Sequence, residues 1–192
     1  MDEGLVRWAR AVKARGQSKI PVLWYFTDAA RMADPLPVVR ALPRGLCGVV
    51  FRHDGVAGRE MLGRQVAKLC RARRIALVVA GDARLAAALH AGVHLRGGRR
   101  DGYVTGGCGV VTASAHNVVE VRRAVRAGVV FISPVFETAS HPGGRVLGPL
   151  RWNVLARHAG AAEAYALGGI NGKKINRLAK YCRGAASISA FT

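Results

Sequence analysis

The chain has no apolar run approaching the roughly 18 residues that a membrane-spanning helix needs. Its opening, MDEGLVRWAR, places acids where a secretory signal would carry a basic stretch. A cytoplasmic location is therefore expected. Cysteines are few and far apart, and Cys47, Cys70, Cys108 and Cys182 lack the paired spacing of a zinc site or a CxxC redox motif. Buried free thiols are the expectation. Aromatic residues make up only 6% of the chain, which leaves little stacking surface for single-stranded nucleic acid. No linker, internal repeat or low-complexity tract interrupts the 192 residues. One domain spanning 1–192 is expected, with 1–20 as an N-terminal helical extension.

Acid is scarce as well. Eleven Asp and Glu stand against thirty Lys and Arg, for a net charge of +19. Such an excess attracts nucleic acid, membrane surfaces and phosphorylated small molecules alike. Lysine occurs only at 13, 19, 68, 173, 174 and 180, so twenty-four of the cations are arginine, and they are scattered rather than gathered in a tail. No nucleic-acid motif accompanies them. Phosphorylated small molecules are the expected partners, with nucleic acid and membrane not expected and a homo-oligomer left open.

What the chain does have is a steady beat of apolar, β-branched runs at 22–26, 46–51, 75–79, 92–95, 109–112, 128–132, 164–167 and 186–188. They are continuous rather than alternating, as in strands buried on both faces of a parallel sheet. Helical spacing separates several of them: Leu62, Val66, Leu69 and Cys70 share one face, as do Ile175, Leu178, Ala179 and Cys182. Val118, Val121 and Val125 mark another, capped by Asn117 or Ser114. Strand–helix alternation with eight strands predicts an α/β fold, a (β/α)8 TIM barrel. The chain is shorter than the usual barrel of about 250 residues, so some helices must be short or missing. Leu5, Trp8, Ala9 and Val12 form one face of an N-terminal helix able to cover barrel surface left bare after the last strand.

Barrel enzymes carry their chemistry at the C-terminal ends of the strands. Here those places hold Thr27–Asp28, Arg52–His53–Asp54, Gly81–Asp82, His94, Ser114 with His116, a long loop over 133–148, Gly168–Gly169, and Ser189. The glycine pair, Asn171 capping a following helix, and Ser189 suit a phosphate, whose oxygens would meet backbone N–H groups at a positive helix end. Arg52, leaving an apolar run, needs an anion or water. Asp82 suits Mg2+ or a helix cap equally. His94 and His116 can donate to an anion or shuttle a proton.

In this order the segments resemble the thiamine phosphate synthase superfamily, which includes the thiazole tautomerases. The similar stretches are Trp24-Tyr25-Phe26-Thr27-Asp28, Val50-Phe51-Arg52, Gly92-Val93-His94-Leu95, Ser114-Ala115-His116-Asn117, Ser133-Pro134-Val135-Phe136-Glu137-Thr138, Leu167-Gly168-Gly169-Ile170 and Ser187-Ile188-Ser189-Ala190. The resemblance implies coupling of a pyrimidine methyl diphosphate to a thiazole phosphate, with Mg2+ and release of diphosphate. It implies Arg52, Ser114 and His116 as catalytic and His94, Thr138, His141, Gly168, Gly169 and Ser189 as substrate-binding. Asp82 and Asp101 are the implied metal ligands.

Several positions depart from the family pattern. Val50 stands for a Gln, and Asp54 for a Lys two positions after the arginine. Gly81-Asp82 stands for Asn-Asp, and Asp101, displaced along its loop, is the substitute for a second Asp. His141 falls where a Lys is expected. Arg96, Arg99, Arg100 and Arg145 are available to restore charge. Two other readings compete with the synthase: a thiazole tautomerase using His116, and a non-catalytic barrel binding phosphate or nucleic acid.

Overall fold

The computed structural model describes residues 1–16, 19–98, 109–138, 143–178 and 181–191. Eight parallel strands close a barrel in sequence order. They are β1 (Leu23–Phe26), β2 (Cys47–Phe51), β3 (Ala76–Ala80), β4 (Gly92–Leu95), β5 (Thr112–Ala115), β6 (Val129–Ile132), β7 (Glu163–Leu167) and β8 (Gly184–Ser187). Closure comes from β1 pairing with β8, Leu23 opposite Ala185 and Tyr25 opposite Ser187. The described helices are α1 (Glu3–Arg15), α2 (Leu36–Ala41), α3 (Arg59–Arg73), α4 (Ala83–Ala88), α5 (Val118–Arg123) and α6 (Gly148–Arg157).

Successive side chains of a strand face opposite sides, and β1 shows what that does in a closed barrel. Leu23 and Tyr25 point outward into the layer shared with the helices, whereas Trp24 and Phe26 point into the lumen. Lumen packing is edge-to-face: Phe131 meets Trp24, Phe26 and Tyr165 at centroid distances of 5.9, 5.0 and 5.8 Å. Rings this large fit only because neighbouring strands supply glycine. A Cβ on Gly184 would lie 2.2 Å from the Tyr165 ring and 2.4 Å from the Val22 carbonyl oxygen, which is backbone and cannot swing away. Gly184→Ala should therefore cost about 3 kcal/mol, the upper end for overpacking, in urea unfolding. An unchanged midpoint would show that the strand can shift.

The barrel is small because its outer ring is thin. α4 and α5 have six residues each, and only 3-10 turns, Arg96–Gly98 and Ile175–Arg177, are described after β4 and β7. On the N-terminal helix, Leu5 and Ala9 are buried and Trp8 and Val12 pack against the same core, as the amphipathic pattern predicts. Full burial of a leucine such as Leu5 contributes about 1.5–3 kcal/mol.

Two expectations need correction. β5 was expected at 109–112 but runs Thr112–Ala115. It is built from small and polar residues: Ala113 and Ala115 face the helices, while Thr112 bonds His94 on β4. The apolar stretch before it instead runs under β4, so close that a Cβ on Gly92 would lie 2.1 Å from the Val110 oxygen. The helix expected through Ile175, Leu178 and Cys182 is a single 3-10 turn, after which Leu178 is extended. Asn171 does cap this turn, its side chain accepting the N–H groups of Lys173 and Lys174, but the helix does not propagate past Arg177. Ala179 lies outside the described residues.

Candidate active site

A cavity of about 1150 Å³ opens at the C-terminal end of the strands. Arg52, His94, Ser114, His116, Thr138, Gly168, Gly169 and Ser189 all line it, and Asp82 does not. His141 and Asp101 lie outside the described residues, as do Arg99 and Arg100. Among the described lining residues, the cations Arg31, Arg52, Arg96, Arg145 and Lys174 outnumber the acids Asp2, Asp54 and Glu137. The described lining is thus net cationic.

One wall is built by the ends of β1 to β4. Thr27, fully buried, accepts the Arg52 N–H at 2.8 Å and bonds His53 Nδ1 at 2.9 Å. His53 Nε2 faces the carbonyls of Met32 and Ala33, both at 3.2 Å, so it donates there and Nδ1 accepts the threonine hydroxyl. This pair fixes the backbone from which Arg52 projects. The Arg52 guanidinium is oriented by Asp28, at 2.9 Å, and the arginine side chain is 39% exposed toward the cavity mouth.

Beyond it, Arg59 at the start of α3 donates to Asp82 at 2.9 Å, to the Ala80 carbonyl at 2.9 Å, and lies 3.1 Å from Asp54. Asp54 also pairs with Arg96. The other Asp82 oxygen caps α4, accepting the Leu85 N–H at 2.8 Å. Both Asp82 oxygens are thus in use. A divalent cation on the oxygen held by Arg59 would have to displace the guanidinium or share the carboxylate with it against like-charge repulsion. Asp82 does not fit a magnesium ligand. Among the described residues, no group of three or more His, Cys, Asp or Glu could hold a metal ion.

The middle of the floor is histidine and serine. His94 is buried against Phe26 and Phe131, with Nδ1 2.9 Å from Thr112 Oγ1. Desolvation first, then the charges of Arg52 and Arg96, push its pKa down to about 3. It is neutral near pH 7, so it can offer one N–H to an anion but carries no charge to it. Ser114 accepts the Gly97 N–H at 3.2 Å. His116 donates from Nδ1 to the Ser133 carbonyl at 2.9 Å, leaving Nε2 as the acceptor nitrogen of a residue that lines the cavity. Its backbone N–H is tied to Glu120, while Asn117 caps α5 by accepting the Glu120 N–H.

The far corner lies between the loops after β7 and β8. Gly168 and Gly169 have positive φ, and a Cβ on Gly169 would lie 2.3 Å from the Glu137 carbonyl oxygen. The pair is glycine so that this loop can zip against the one after β6, where Val135 and Phe136 donate to Leu167 and Gly168. Among the described residues no acceptor is found for the Gly169 N–H. Asp2 joins the corner from the chain start: it accepts the Gly172 N–H at 2.9 Å, caps α1 through Leu5 at 2.9 Å, and donates its own N–H to Ala190. Burial raises its pKa, yet the N–H groups of Gly172, Leu5 and Gly4 together hold it below the ordinary value.

Sequence reasoning missed Arg59, Asp2 and Lys174. Arg59 stands seven residues beyond Arg52 at a helix start, past the window that a strand-end rule inspects, and Asp2 reaches the rim only through tertiary packing.

The sequence profile of the thiamine monophosphate synthase family matches residues 27–191. A thiamine-phosphate synthase of Geobacillus kaustophilus is 32% identical over 142 residues, 66% of this chain and 64% of that protein. One from Geobacillus thermodenitrificans is 35% identical over 111 residues, 52% of this chain and 50% of the relative. The chain thus spans between half and two thirds of the curated relatives it matches. Among solved structures, a thiamine phosphate pyrophosphorylase from Pyrococcus furiosus superposes with a TM-score of 0.70 at 23% identity, covering 88% of this chain and 85% of that one.

Proposed function

The chain belongs to the thiamine monophosphate synthase family, and from that premise we propose that it couples a pyrimidine methyl diphosphate to a thiazole phosphate, giving thiamine phosphate and diphosphate. The observation that carries this reading is one cationic cavity with an arginine wall at one side and a backbone N–H corner at the other. Two phosphorylated substrates need two anion-binding ends.

The bond from the pyrimidine methylene to the bridging oxygen breaks, and its electron pair leaves with diphosphate. The thiazole nitrogen then gives its lone pair to the carbon. Arg52, preset by Thr27 and Asp28, meets the charge growing on the leaving group without reorganising. The Gly169 N–H, Ser189 and the nearby Lys174 hold the thiazole phosphate, and Ser114 and Thr138 orient the rings over Phe26. The protein's contribution is alignment and electrostatics, with neutral His94 as a donor that cannot quench the reaction by charge. No step is assigned to a divalent cation, since Asp82 already serves Arg59 and α4.

A second reading rests on His116, whose Nε2 meets no partner among the described residues and suits proton transfer within a thiazole phosphate. Thiamine phosphate formed from the two precursors would support the synthase, and failure to form it with folded protein would refute it. His116→Gln separates the readings. In a synthase it should cost less than tenfold, whereas a tautomerase losing its acid/base group should lose about 10²–10⁴-fold. A cytoplasmic location is part of the proposal: Cys47, Cys70 and Cys182 are buried free thiols whose pKa burial pushes up to about 12, consistent with a reducing compartment.

A further inference from the structure

We infer that the diphosphate end of the cavity is built from guanidinium groups and binds its ligand without a divalent cation. The inference rests on the proposed reaction for the identity of the ligand, and on four observations for the rest.

Every described carboxylate of the wall is already neutralised by arginine: Asp28 by Arg52, Asp82 by Arg59, and Asp54 by Arg59 and Arg96. Arg59 bridges Asp82 and Asp54 and also donates to the Ala80 carbonyl, so it sits as a fixed cation between the two acids best placed to share a metal. A guanidinium there is part of the fold and does not dissociate.

Arg96 has a site made for it. Its Cζ, Nε and Nη2 lie within 3.3 Å of where a Cβ of Gly81 would stand, and Gly81 has φ +65. A Cβ at position 81 would press on the guanidinium and make it give by a few tenths of an ångström, besides straining the positive φ. Gly81 and Asp54 therefore work together on this wall: Gly81 leaves the space open, and Asp54 anchors the arginine that fills it.

Arg52 and Arg96 both line the cavity, with side chains 39% and 56% exposed. Each gives one Nη2 to its aspartate, and among the described residues the remaining guanidinium N–H groups meet no acceptor. Both lie close enough to His94 for their charge to bear on its ring. Two planar forks lining one cavity, both near a neutral N–H donor, suit the oxygens of a diphosphate, which guanidinium groups can bind in pairs.

Isothermal titration calorimetry with inorganic diphosphate at constant ionic strength tests this, in EDTA and in excess MgCl2. Wild-type affinity in excess MgCl2 should be no higher than in EDTA, and lower to the extent that Mg2+ sequesters free diphosphate in solution, while Arg96→Ala should lose at least tenfold in EDTA, the loss of one charge-assisted contact. Affinity more than tenfold higher with Mg2+, or an Arg96→Ala variant that binds normally, would overturn the inference and leave the synthase reading standing. No binding in either buffer would overturn both.

Discussion

Arg52→Ala is expected to lower the coupling rate constant by about 10²–10³-fold, the cost of removing one preorganised donor from developing charge. The unfolding midpoint should stay close to wild type. The arginine's side chain is 39% exposed, and what holds this part of the wall, the bonds from Thr27 to the Arg52 backbone N–H and to His53, survives the substitution. Arg52→Lys should recover only part of the rate, since a lysine is a point charge that cannot grip Asp28 and a phosphate oxygen with one rigid fork. Single-turnover measurement of thiamine phosphate formation separates the chemical step from release. Normal turnover in Arg52→Ala would assign the residue to structure alone.

The second large effect concerns acid. His94 has its pKa depressed by desolvation and by Arg52 and Arg96, to about 3 against 6.5 in the unfolded chain. Between those values the unfolded state binds a proton that the folded state refuses. Stability is therefore fully present above pH 6.5 and is lost as the pH falls through the window toward 3. At about 1.4 kcal/mol per unit, the whole window is worth about 5 kcal/mol. Urea unfolding of wild type and His94→Gln from pH 7 to pH 4 should show a steeper decline for wild type. Parallel curves would mean that the buried ring is not protonated on unfolding in that range.

How much of this was legible in advance follows from what each element is made of. β1 to β3 and β6 are apolar on both faces, because the lumen holds Trp24, Phe26, Val50, Val78 and Phe131 while the outer face packs on helices, and such strands announce themselves. β5 escaped by three residues because its inward positions are the polar Thr112 and Ser114 of the site. Where function enters the lumen, hydrophobicity stops marking the strand. The helix after β7 was misread for another reason: Ile175 and Cys182 are indeed buried, but apolar spacing reports burial and not backbone shape. Strand ends told which side chains could meet in the cavity, and Arg52, His94, Ser114 and His116 do meet there. Partnerships were not legible. Asp82 as a helix cap gripped by Arg59, and Arg96 lying over Gly81, depend on contacts between chain segments that no local pattern encodes.

The Asp2 clasp ties the rim of the cavity to the N-terminal helix. One carboxylate joins the first turn of α1 to the loop after β7, and its backbone N–H joins the loop after β8. The Gly172 amide is then shielded by a helix whose grip comes from Leu5 and Ala9 in the core. Opening of this corner is a sub-global event, with a free energy set by the undocking of α1 and not by the loops themselves. The amide protons of Gly172 and of the α1 interior should exchange with solvent as a single cooperative unit, so that the mouth breathes only as often as the helix lets go.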